Sequence, residues 1–172
     1  RSFLRTSALA FTGIAVLPRR VLGAPGEPSP NEELTKAIIG VGGMGRGHIG
    51  YPEARLVAVC DVDSAHLEQA LKMAPEGTQG YRDFREVLER PDVDIVHVPT
   101  PPHWHALITI AAAEAGKDVW CEKPMSRTIG EGKKVVEAIQ RNGRIFRLNT
   151  WFRFKDGFYG FGTTVAPIKK LV

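Results

Sequence analysis

Residues 38–48 read Ile38-Ile39-Gly40-Val41-Gly42-Gly43-Met44-Gly45-Arg46-Gly47-His48. Before them, Lys36-Ala37-Ile38-Ile39 is a short, mostly apolar run of buried-strand length. The run leads into G-x-G-x-x-G, with Gly40, Gly42 and Gly45 in the three glycine places. Each glycine has a physical task. Gly40 lets the chain turn tightly off the strand, Gly42 lets backbone approach a pyrophosphate, and Gly45 lets the next helix sit close to the sheet. A diphosphate over Gly42, Gly43 and Met44 would meet free N–H groups at the positive end of the helix dipole. A plain turn entering a helix accounts for the glycines equally well when they stand alone. The following segment separates the two readings. Leu56-Val57-Ala58-Val59-Cys60-Asp61 is a second apolar strand ending in an acid, about twenty residues beyond Gly40. A carboxylate at Asp61 can accept from both adenosine ribose hydroxyls and repels a 2′-phosphate, which favours NAD over NADP.

From Lys36 onward strand and helix patterns alternate. Gly43 to Gly50 opens a short helix, Leu56 to Cys60 is the second strand, and Ser64 to Met73 is a helix that Ser64 is expected to cap. Thr78 to Tyr81 reads as a short third strand, and Asp83 to Leu88 as a helical turn stopped by Pro91. Val93 to Val98 is the fourth strand, and His103 to Ala115 a helix ended by Gly116. Val119 to Cys121 is the fifth strand, Ile129 to Arg141 a long amphipathic helix, and Ile145 to Asn149 the sixth strand. Short loops between them predict an α/β fold with a doubly wound parallel Rossmann sheet.

With 172 residues the chain can bury one real core. Its net charge of +4 forms no continuous basic stripe, so nucleic acid is not an expected partner. Two cysteines, Cys60 and Cys121, would end strands three places apart, about 14 Å at 4.8 Å per step, too far for a disulfide. Residues 1–30 read differently from the rest. A basic start, Arg1-Ser2-Phe3-Leu4-Arg5, precedes a short, weakly apolar run ending near Leu17, which describes an export signal. That run is too short to span a bilayer, so no membrane is expected in the mature form. The opening resembles a twin-arginine signal with Arg1 as its second arginine, predicting a bacterial, periplasmic protein, or a cytoplasmic one if the signal is unused. Pro25 to Pro30 then reads as a linker.

Ligands in such a sheet bind beyond the carboxyl ends of its strands. After the fourth strand comes Pro99-Thr100-Pro101-Pro102-His103-Trp104-His105. Thr100 and Pro101 are candidates for the nicotinamide side, Trp104 for packing beside the nucleotide, and His105 for facing the cleft, with His103 partly structural. The two histidines lack a third metal ligand, so no metal is expected. After the fifth strand comes Trp120-Cys121-Glu122-Lys123-Pro124. A lysine there can hydrogen-bond a substrate hydroxyl or pass a proton, with Glu122 orienting it and Pro124 rigidifying the turn through a possible cis bond. A solvated surface Glu-Lys pair is the plain alternative.

Together, G-x-G-x-x-G, Asp61, T-P-P-H-W-H and E-K-P resemble the Gfo/Idh/MocA oxidoreductase family over about residues 36–154, in particular its signal-bearing bacterial branch. The resemblance implies that Lys123 is the catalytic lysine and that Thr100, His105, Glu122 and Pro124 line the nicotinamide side. It matches Arg153 to an arginine that follows the sixth strand in relatives. It also implies a second α/β domain that completes the site and pairs subunits as a homo-oligomer. Residues 155–172 are expected to be the connection and first helix of that domain, after a dinucleotide-binding domain over residues 31–154. The expected activity is NAD-dependent hydride transfer from a sugar or polyol. The alternatives are a glycoside-cleaving relative that retains its NAD and a non-catalytic NAD-binding regulator.

Overall fold

The computed structural model describes residues 33–52 and 54–150, and all its elements fall in the unit that starts at Leu34. The strands are β1 (Thr35–Ile39), β2 (Arg55–Cys60), β3 (Gln79–Tyr81), β4 (Ile95–Val98), β5 (Asp118–Glu122) and β6 (Phe146–Asn149). The helices are α1 (Gly43–Gly47), α2 (Ser64–Met73), α3 (Phe84–Leu88), α4 (Pro102–Glu114) and α5 (Ile129–Arg141). A 3-10 turn, His48–Gly50, continues α1. The expected export signal, Arg153 and the second-domain segment lie outside the described residues.

The six strands form one sheet in the order β3-β2-β1-β4-β5-β6, every pair parallel. A parallel strand buried on both faces must be apolar throughout, which is why β1 and β2 read as near-continuous runs rather than alternating ones. Two packing layers result. Ala37, Ile39, Val96, Val98 and Val119 meet Val87, Leu88, Ile108 and Ala112 of α3 and α4 on one face. On the other, Ile38, Leu56 and Val59 meet Ala70 and Leu67 of α2. Full burial of a side chain such as Ile108 stabilises by about 1.5–3 kcal/mol.

From β1 the chain winds outward to β3, returns to β4 beside β1, and winds outward again to β6. The reversal opens a crevice beyond the carboxyl ends of β1 and β4, the place where open α/β sheets bind ligands. Cys60 and Cys121 are buried and unpaired, three strands apart.

Asp63, not Ser64, caps α2. Its carboxylate accepts from the Ala65 N–H (2.8 Å) and the His66 N–H (3.4 Å). The capping residue must hold extended backbone, and Asp63 does so with φ −84° and ψ 115°. β4 begins at Ile95 rather than Val93, because the Asp94 carboxylate turns back to accept from the Thr35 N–H. α4 begins one residue early, with Pro102 in its first turn, where a missing N–H costs nothing. Thr128 and Glu131 form a reciprocal capping box on α5. Among the described residues no helix is long and apolar enough to cross a membrane.

Candidate functional site

Gly40 follows β1 with φ +94°, a conformation that favours glycine, and a Cβ there would fall 2.7 Å from Thr100 Cγ2. Gly45 is tighter still. A Cβ on it would stand 1.8 Å from the Gly40 carbonyl oxygen, so the helix sits directly on the strand end. Gly42 and Gly43 differ from these two. A Cβ on Gly42 would meet only His66, at 3.6 Å, and one on Gly43 would meet nothing within 4 Å. The protein's own packing therefore demands glycine at 40 and 45 but not at 42 and 43. No side chain caps α1, which leaves its first-turn N–H groups without that partner.

A cleft of about 610 Å³ opens at this turn, walled by Gly42, Asp61, His66, Thr100, Pro101 and Trp104, with Gly40 and Gly43 also exposed to it. Asp61 is fixed there by backbone donors: the Val41 N–H reaches its Oδ2 and the Asp63 N–H its Oδ1, both at 2.9 Å. Each oxygen keeps acceptor capacity for a further donor. His66 Nδ1 lies 3.6 Å from Asp61 Oδ2. The buried Thr100 hydroxyl has no hydrogen-bond partner among the described residues. Buried hydroxyls are ordinarily paired, so an orphan at a cleft wall suits a ligand's polar atom. The carboxylate, the open glycines, the uncapped helix and the orphan hydroxyl together suit a dinucleotide. Met44 is exposed beside this wall rather than part of it.

His105 does not face the cleft. It is 1% exposed, with Nδ1 2.6 Å from the Pro124 carbonyl oxygen and Nε2 2.6 Å from that of Thr100. Residues 105, 106, 108, 109, 112 and 113 form the sheet-facing stripe of α4, so helical periodicity carries His105 inward. There it ties the loop after β4 to the loop after β5. Trp104, one position earlier, is 41% exposed and lines the cleft. His103 is exposed rather than structural, its ring 5.9 Å from that of Trp104. Among the described residues no cluster of three metal-ligating side chains forms.

The Glu122 carboxylate does not pair with the Lys123 ammonium; it accepts a hydrogen bond from the Lys123 backbone N–H. Neighbouring residues of an extended strand point to opposite sides, and Glu122 points inward, 4% exposed, while Lys123 is exposed. Glu122 Oε1 meets His48 Nε2 at 3.1 Å and accepts from Asn149 Nδ2. Burial alone would raise this carboxyl, yet those hydrogen bonds hold it below the usual range. The surface Glu-Lys pair is therefore not what forms. Among the described residues the Lys123 ammonium has no ion-pair or hydrogen-bond partner, and the Lys123–Pro124 peptide is cis.

Sequence reasoning missed the buried polar cluster behind Glu122. His48 is fully buried, its ring stacked on Tyr51 at 4.7 Å, with Nδ1 3.2 Å from His97 Nδ1. Lys36 Nζ donates to the carbonyls of His48 (3.1 Å) and Tyr51. Burial, helped by His48 and Lys36, pushes His97 down to about 3, so its ring is neutral. A signal was present in the polar His97 within Ile95-Val96-His97-Val98 and the Lys36 that opens an apolar strand.

Comparison with known proteins agrees with this geometry. The GFO_IDH_MocA family model, described as an oxidoreductase family with an NAD-binding Rossmann fold, matches residues 34–150. Inositol 2-dehydrogenase of Salmonella paratyphi B is 30% identical over 131 residues, covering 73% of this chain and 39% of the relative. A glycosyl hydrolase family 109 protein of Shewanella pealeana is 28% identical over 169 residues, covering 82% and 37%. The WlbA dehydrogenase from Bordetella pertussis, solved in complex with NADH and UDP-GlcNAcA, matches with a TM-score of 0.61 and 27% identity, over 65% of this chain and 34% of that one. The chain spans less than two fifths of the length of these proteins. With residues 34–150 accounted for by one family, the chain belongs to the Gfo/Idh/MocA oxidoreductases and carries their NAD-binding Rossmann domain.

Proposed function

We propose that the chain is the nucleotide-binding part of an NAD-dependent dehydrogenase that oxidises a hydroxyl carbon of a sugar or polyol. One observation carries the reading. A lysine with no partner among the described residues stands at the end of β5, next to the β4 end whose Thr100 lines a cleft shaped for a dinucleotide. Asp61 would hold the adenosine ribose, the turn at Gly42 and Gly43 the diphosphate, and Thr100 with Pro101 the portion nearer the nicotinamide. When bound, NAD supplies a hydride acceptor for the substrate C–H. With its amine unprotonated, Lys123 Nζ would accept a hydrogen bond from the substrate hydroxyl and take its proton as the carbonyl forms, so that the alcohol loses one proton to the lysine and one hydride. His105 keeps the two loops in register, and Glu122 anchors the turn from inside.

The relative named as a glycosyl hydrolase family 109 protein favours a second reading, in which the nucleotide stays bound and is restored in each turnover of glycoside cleavage. Net NADH formation separates the two. The intact protein, screened against inositols and sugars, is expected to form NADH, and Lys123→Ala to abolish turnover while NAD binding persists. Glycoside cleavage without net NADH would support the second reading. We further propose export through residues 1–30, tested by locating the protein after fractionation of its host cells.

A further inference from the structure

We propose that His48 is a positioning residue for Lys123, coupling the glycine turn that seats the dinucleotide to the strand end that presents the lysine. The inference rests on the reading of Lys123 given above. Lys123 has no side-chain partner among the described residues, so its ammonium is placed only by the backbone on either side. On one side, His105 holds the Pro124 carbonyl. On the other, Glu122 accepts from the Lys123 N–H and is held from inside by two side-chain donors of different origin. Asn149 stands opposite Glu122 in the β5–β6 register, so that contact belongs to the sheet itself. His48 comes from the end of α1, 74 residues away in sequence, so its contact joins the cofactor turn to β5.

The link is stiff at each joint. Gly45 packs α1 against Gly40, so neither the helix nor the turn shifts alone. His48 is fully enclosed, stacked on Tyr51, with its carbonyl fixed by Lys36 and its Nδ1 against His97. His97 is neutral, so its single N–H can donate to His48 Nδ1, which leaves His48 Nε2–H to donate to Glu122. Glu122 is a buried carboxylate, and loss of the His48 donor leaves its charge only the Asn149 amide and the Lys123 N–H, under-satisfied in a low-dielectric pocket. The strand end would then rearrange to find water or another donor, carrying Lys123 with it. A movement of about 1 Å at a reacting group is enough for a large loss of rate.

The test uses the intact protein and three variants: His48→Leu, which removes the donor, His48→Gln, which keeps an N–H donor, and Glu122→Ala, which removes the acceptor. Lys123 is read directly by its rate of acetylation with N-hydroxysuccinimidyl acetate, followed by peptide mass spectrometry, with exposed Lys133 of α5 as internal reference. NAD affinity is measured beside it by calorimetry. His48→Leu is expected to change the Lys123/Lys133 ratio about threefold or more and to lower kcat about tenfold with KM for NAD little changed. His48→Gln should return the ratio to within about twofold of wild type. If His48→Leu fails to fold, Glu122→Ala should show the same change confined to Lys123, and a wild-type ratio in it overturns the proposal. A folded His48→Leu with a wild-type ratio overturns the proposal, as does a His48→Gln as disturbed as His48→Leu. Absent turnover in the wild type would count against the dehydrogenase reading alone, since the acetylation ratio needs no activity.

Discussion

Replacing Gly42 by Ala separates what the fold requires of the glycine turn from what a ligand requires. A Cβ at this position points toward His66, which walls the same cleft, and keeps an ordinary 3.6 Å contact. Its backbone, at φ −65° and ψ −151°, is not left-handed, and Gly42→Ala is expected to cost no more than about 1 kcal/mol of stability. On the proposed placement, the methyl group would nevertheless stand where backbone approaches the diphosphate. Loss of one charge-assisted N–H contact costs about 1.5–3 kcal/mol, which weakens Kd about tenfold or more. Gly45→Ala provides the contrast. Its Cβ would lie 1.8 Å from the Gly40 oxygen, where contacts under 3.0 Å are essentially never seen, so α1 must retreat by more than about 1 Å. Such overpacking costs about 1–3 kcal/mol or more, and binding falls with stability. Calorimetric titration with NAD, paired with thermal unfolding, reads both quantities. A folded Gly42→Ala that binds NAD within about twofold of wild type would refute the placement of the diphosphate.

Other expectations are narrower. Ile108→Ala removes a 2% exposed side chain between α4 and the sheet and should cost about 2–5 kcal/mol, lowering Tm by at least about 4 °C in a melting experiment. Asp61→Asn keeps the shape of the carboxylate but removes its charge while Arg82 and His66 still line the cleft, so the NAD-over-NADP affinity ratio should fall about tenfold. Asp63 accepts the N–H groups of Ala65 and His66, which hold its carboxyl below the usual range. Its stabilisation is therefore present above the ordinary carboxylate pKa and lost as pH falls through the lower folded value. Chemical denaturation from pH 6 down to about pH 2 should show Asp63→Ala losing less stability than wild type on acidification.

The parts legible in the sequence were those set by short spacing. The glycine turn, Asp61 at the end of β2 and the full span of α5 from Ile129 to Arg141 follow from local periodicity and turn chemistry. The doubly wound order follows from alternation, because parallel neighbours need crossovers. The directions of Glu122 and His105 were less accessible. Both depend on where strand parity and helix phase fall once β5 and α4 are docked. His48 and His97 were least legible, since a contact spanning 74 residues to Glu122 has no spacing signature. Ser64 and Asp63 are adjacent and both competent caps, and only backbone conformation chose between them.

Titration of the intact protein with NAD and with NADP, after checking a denatured sample for released nucleotide, tests the central claim most directly. NAD is expected to bind, or to be released on denaturation, with at least about tenfold preference over NADP, because Asp61 in its proposed place at the adenosine ribose would repel a 2′-phosphate. NADP binding as tightly as NAD, or neither nucleotide bound or released, would contradict it.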